Sequence, residues 1–124
     1  MKMTREYGEG QNIITAYGGG GVQVNHQAHH ESLVVLPDQL IPQWPVSRVD
    51  DLKPEVFEPV LALSPEIVLL GTGPTLRWPP REVLYAIRAR GIGLEVMDTS
   101  AACRTYNIVM GEGRRVAAVL LIPG

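Results

Sequence analysis

Apolar positions follow one rhythm in the first third of the chain and another after residue 65. From Asn12, Ile13-Ile14-Thr15-Ala16-Tyr17 and Val22-Gln23-Val24-Asn25-His26 flank four glycines, Gly18 to Gly21. Alternation on either side of a glycine turn predicts a β-hairpin. A third run, Glu31 to Leu36, reads as another strand stopped by Pro37, so the N-terminal third is expected to be an antiparallel meander. Residues 37 to 54 carry Pro37, Pro42, Pro45 and Pro54, and proline restricts both itself and the residue before it. That stretch is expected to wrap the surface as a loop with Trp44 as its anchor in the core. A short helix is expected within Pro54 to Leu63, starting late or breaking at Pro59.

Beyond Pro65 the runs become continuous. Ile67-Val68-Leu69-Leu70, ended by Gly71, suits a strand buried on both faces. Pro79 and Pro80 open a helix in which Val83, Ala86, Ile87 and Arg90 share a side, with Gly91 as its stop. Leu94 to Met97 is the next strand, and Asp98 is a strong N-cap for the helix that follows. Ala101, Ala102, Thr105, Ile108 and Val109 fall in one stripe and predict its core face, which turns Ser100, Cys103, Arg104 and Asn107 away. Glu112-Gly113 ends that helix, and Arg114 to Ile122 makes a last strand. The second half reads β-α-β-α-β, a pattern that gives parallel pairing with right-handed crossovers. The expected fold is α/β: a mixed, largely parallel central sheet with flanking helices and an N-terminal antiparallel β layer.

Composition sets bounds on this picture. At 124 residues, 45% hydrophobic and 19% charged, the chain suits one domain over 1–124, with the first ten residues expected to be frayed. No apolar run approaches the ~20 residues of a membrane helix, and the start has no h-region, so a cytoplasmic address is the expectation. A single cysteine, Cys103, excludes an internal disulfide framework. Formal charge is -2, which argues against general nucleic-acid binding. The sign is uneven: residues 1–66 hold four basic and nine acidic side chains, whereas 67–124 hold seven and four, and those seven bases are all arginine. Arginine forks suit carboxylate or phosphate, and they also suit a solvated surface.

Candidate chemistry sits mainly at the strand ends of the second half. Gly71-Thr72-Gly73 leaves a buried strand where open α/β sheets place ligands, and its glycines would let backbone N–H groups approach an anion. The same residues could instead form a tight turn that clears space for Trp78. Thr99 and Ser100, behind the Asp98 cap, could face that edge, although capping alone explains them. Arg104, Tyr106 and Asn107 put a cation, a phenol and an amide on or beside the non-core side of one helix, as a functional surface or as tertiary hydrogen bonds. The histidines His26, His29 and His30 lack the second ligand set a zinc site needs, and Cys103 lacks an evident base. Neither a metal nor a catalytic residue is expected.

The stretch from Gly91 through Met97-Asp98-Thr99-Ser100-Ala101-Ala102-Cys103-Arg104-Thr105-Tyr106-Asn107, then Glu112 to Ala118, with Leu69 to Gly73 upstream, resembles a known family. It is a family of small domains of unknown biochemical activity that includes the mitochondrial assembly factor three of respiratory complex I and an adipogenesis-associated vertebrate protein. The resemblance runs from about Ile13 to Ile122. It implies a mixed sheet with packed helices and an extra β layer, and no established reaction, cofactor or catalytic residue. It makes a protein-binding or assembly module the leading expectation, using Arg104, Tyr106 and Asn107 with Arg77 or Arg81. The alternative is an enzyme or binder of a small anionic ligand at Gly71–Gly73 and Asp98–Ser100.

Overall fold

In the two most apolar strands successive side chains enter different cores. Strands β6 (Ile67–Gly71) and β8 (Val116–Leu120) lie side by side and parallel. Val68, Leu70, Ala117 and Val119 pack into one hydrophobic cluster, Leu69, Val116, Ala118 and Leu120 into the other. That is the period-two alternation of a strand, with both faces covered. The computed structural model describes residues 10–123, so the fraying expected at the start lies, apart from Gly10, outside the described residues.

Three more strands complete the central sheet: β4 (Leu33–Val35), β5 (Leu40–Ile41) and β7 (Gly93–Met97), in the order β5-β4-β8-β6-β7. β7 joins β6 in parallel, whereas β4 runs antiparallel to β8 and β5 antiparallel to β4. The sheet is therefore mixed, with parallel β7-β6-β8 and a short antiparallel edge. A second sheet holds β1 (Ile14–Gly18), β2 (Gly21–Val24) and β3 (Gln27–His29) as an antiparallel meander. The run expected as the meander's third strand departs from it. Residues 33–35 cross to the other sheet and pair with β8, because Leu33 to Leu36 are fully buried and need cover on both sides.

Helices α1 (Glu58–Leu61) and α2 (Arg81–Arg88) belong to the first core, together with Trp44, which meets Phe57 edge-on at 5.3 Å. The proline-rich stretch also contains β5 and two 3-10 turns, Val49–Asp51 and Pro54–Phe57, so it is more ordered than a plain loop. Pro59 falls in the first turn of α1, where its missing N–H costs nothing. α2 buries Val83 and Ile87 as its spacing predicts.

Helix α3 (Thr99–Gly111) packs on the opposite face of the sheet, under β1. Asp98 caps it by accepting the Ala101 N–H at 2.8 Å. Its core stripe is rotated from the expected one: Ala102, Cys103, Tyr106 and Met110 are buried, and Ile108 is 63% exposed. The cause is cover on two sides. The sheet takes one flank of the helix and the N-terminal meander a second, so a stripe drawn for a single packing partner is displaced.

Candidate functional site

The strand end at Gly71–Gly73 meets the start of α3 at very close range. A Cβ added to Gly71 would lie 2.9 Å from the Thr99 Cα and 3.1 Å from the Ala102 Cβ, so only glycine permits this approach. Gly73 sits at φ +107, and a Cβ there would also crowd Pro123. Thr99 then ties three segments together. Its hydroxyl donates to the Leu121 carbonyl at 2.9 Å and accepts the Gly73 N–H at 2.8 Å, while its own N–H donates to the Gly73 carbonyl at 2.9 Å. Thr72, 4% exposed, donates through its hydroxyl to the Thr75 carbonyl and accepts the Arg77 N–H at 3.0 Å. The turn is thus a latch. It makes room for α3 and not for Trp78, which is 64% exposed.

A cleft of about 390 Å³ lies beside the latch, between Gly73, Thr99 and Ser100 on one wall and Tyr17 with the Gly18–Gly21 turn on the other. Arg104 is not on its wall. It donates to the Tyr17 hydroxyl at 3.2 Å, with its guanidinium carbon 5.9 Å from the centre of the phenol ring, and that hydrogen bond raises its pKa. Of the donors that might have met an anion at this edge, the Gly73, Thr99 and Ala101 N–H groups and the Thr99 hydroxyl already have partners.

Of the two readings for Tyr106 and Asn107, a functional surface or tertiary hydrogen bonds, both residues make tertiary hydrogen bonds. Tyr106 is fully buried and donates its hydroxyl to the Asn12 carbonyl at 2.8 Å; burial raises its pKa. Asn107 accepts the Ile14 N–H at 3.0 Å and donates to the Ile14 carbonyl at 2.7 Å, the two bonds a neighbouring strand would supply, and so pins β1 to α3. Cys103, expected to face away from the core, is fully buried instead, and burial pushes its thiol up to about 12 despite the opposing pull of Arg104. It is a protonated, inert thiol at neutral pH. Among the described residues no group of three or more His, Cys, Asp and Glu could hold a metal ion.

The arginines divide just as clearly. Arg77 donates to both carboxylate oxygens of Asp50 at 3.1–3.2 Å, and Arg90, Arg114 and Arg115 pair with Glu58, Glu66 and Asp38. Arg81 and Arg88 form no ion pair among the described residues. Sequence reasoning missed two features: Tyr17 as the partner of Arg104, and the exposure of Leu76, Trp78 and Tyr85, at 50%, 64% and 66%.

This geometry defines a small two-sheet α/β domain whose strand-end glycines serve packing. The chain belongs to the family described as protein of unknown function (DUF498/DUF598), which matches residues 14–121. A bovine relative, the NADH dehydrogenase [ubiquinone] 1 alpha subcomplex assembly factor 3, is 38% identical over 112 residues, covering 89% of this chain and 60% of that protein. The chain thus spans about 60% of the length of that relative. Among solved structures, a Bordetella parapertussis protein is 38% identical with a TM-score of 0.86, covering 93% of this chain and 98% of the other. A Xanthomonas campestris protein is 42% identical with a TM-score of 0.83, covering 91% and 86%.

Proposed function

We propose that the chain is a protein-interaction module of the assembly-factor kind, which acts by holding a partner and not by transforming a substrate. One observation carries this reading: the polar groups best placed for a ligand, at Gly73 and Thr99, are bonded to one another across the latch. Kinship with a protein named as an assembly factor supports the same direction. A net charge of -2 favours a protein partner over nucleic acid. Among the described residues no helix is long and apolar enough to cross a membrane. A cytoplasmic address belongs to the same proposal.

Of the residues expected to touch a partner, Arg104 and Arg77 are exposed and Ser100 is half-buried, whereas Thr72, Gly73 and Tyr106 are enclosed. Affinity capture of the full chain under mild salt is expected to recover one partner protein in near-stoichiometric amount. Recovery of no protein would contradict the proposal, and thermal stabilisation by a small anionic metabolite would favour the ligand-binding alternative.

A further inference from the structure

Five large hydrophobic side chains are exposed among the described residues, and three of them, Leu76, Trp78 and Tyr85, fall within ten positions of one another. Arg81 and Arg88, neither of which forms an ion pair among the described residues, lie in the same stretch. On α2, at 100° per residue, Arg81, Tyr85 and Arg88 fall within about 60° of arc, on the side away from the buried Val83 and Ile87. Trp78 stands three residues ahead of Arg81 on the extended Pro79-Pro80 entry. Tryptophan, tyrosine and arginine are the residue types that dominate binding energy at protein interfaces.

Charge decides between occupants. Arg77 is neutralised by Asp50 and Arg90 by Glu58, and Glu82 lies on the same helix, so the face offers two positive charges with one acid nearby. A lipid surface is held by clusters of about four to eight basic residues, each contributing about 1 kcal/mol. Two fall short of that. Two discrete arginines can each take a carboxylate bidentately, which is what a protein partner needs. Resting on the interaction reading above, we infer that Leu76, Trp78, Arg81, Tyr85 and Arg88 form the docking face for an acidic protein segment. That segment carries two carboxylates about 10 Å apart, the rise between Arg81 and Arg88, and an apolar recess for the Trp78 indole.

The test places a photoreactive benzoylphenylalanine at Leu76, at Glu82 and, as a control, at Glu112 in the full chain expressed in cells, leaving Trp78 and both arginines intact. The expected result is one protein adduct from positions 76 and 82 and none from 112, with the cross-linked peptide of the partner net acidic. Arg81→Glu with Arg88→Glu, or Trp78→Ser alone, is expected to cut the adduct yield about tenfold or more without changing the melting temperature. Adducts to lipid, to a second copy of this chain or to a non-acidic peptide overturn the inference, as does a yield indifferent to the charge reversal. If capture recovers a partner but positions 76 and 82 give no adduct, the docking face is wrong and the interaction reading stands. If capture also fails, both fall.

Discussion

The loop that leaves β6 behaves in opposite ways at its two ends. At Thr72 and Gly73 the prominent polar groups are enclosed and bonded, next to Gly71, where the 2.9 Å approach of α3 requires glycine. A few residues on, Leu76 and Trp78 project into solvent and contribute little to the core. The polar end had the outward marks of a ligand site, whereas the apolar end had those of a core anchor. The difference teaches that a residue's chemistry suggests a role only until its partners are known: satisfied polar groups hold a fold, and unpartnered aromatics are available to something else.

The sharpest way to break that comparison is at Tyr106, a polar aromatic that is fully buried and bonded to the Asn12 carbonyl. Tyr106→Ala should cost about 3–5 kcal/mol, as for other large buried aromatics, and a urea-unfolding difference near zero would return it to the surface. At the latch, Thr99→Val keeps the shape but removes the hydroxyl, leaving the Gly73 N–H and the Leu121 carbonyl without that partner. The expected loss is about 2–3 kcal/mol. Gly71→Ala should cost about 1–3 kcal/mol by overpacking against α3.

Much of this was legible in the sequence. Asp98 and Gly91 marked their helix ends, and the run Ile67 to Leu70 marked a buried strand, because caps and periods are local signals. Two things were not local. β4 pairs with β8 across 83 to 87 residues of chain, and a strand pattern does not name its partner. The phase of α3 depends on the meander folding over it, so Cys103 was turned outward by a stripe that considered only one neighbour. At the candidate site Thr99 and Gly73 were singled out as neighbours of one edge, but that they bond one another is a fact of distance, not of composition.

Alkaline titration gives a smaller effect of known sign. Burial raises the folded pKa of Cys103 from 9.0 to about 12, and Tyr106 is raised as well. Below pH 9 both states of the thiol are protonated and nothing is lost. Between pH 9 and 12 the unfolded chain gives up the proton first, so stability should fall by about 1.4 kcal/mol per pH unit for this group. Urea midpoints measured from pH 8 to 11 should fall less steeply for Cys103→Ala than for the parent. Identical slopes would place the thiol in contact with solvent.

The smallest effect carries the central claim, that Trp78 and its neighbours are not kept in place by the fold. It is read most directly from the urea-unfolding free energy of Trp78→Ala set beside that of Thr99→Val. The account predicts a change within about 0.5 kcal/mol for Trp78→Ala and a clear loss for Thr99→Val. A Trp78→Ala loss as large as the Thr99→Val loss would make the indole part of the core and contradict the account.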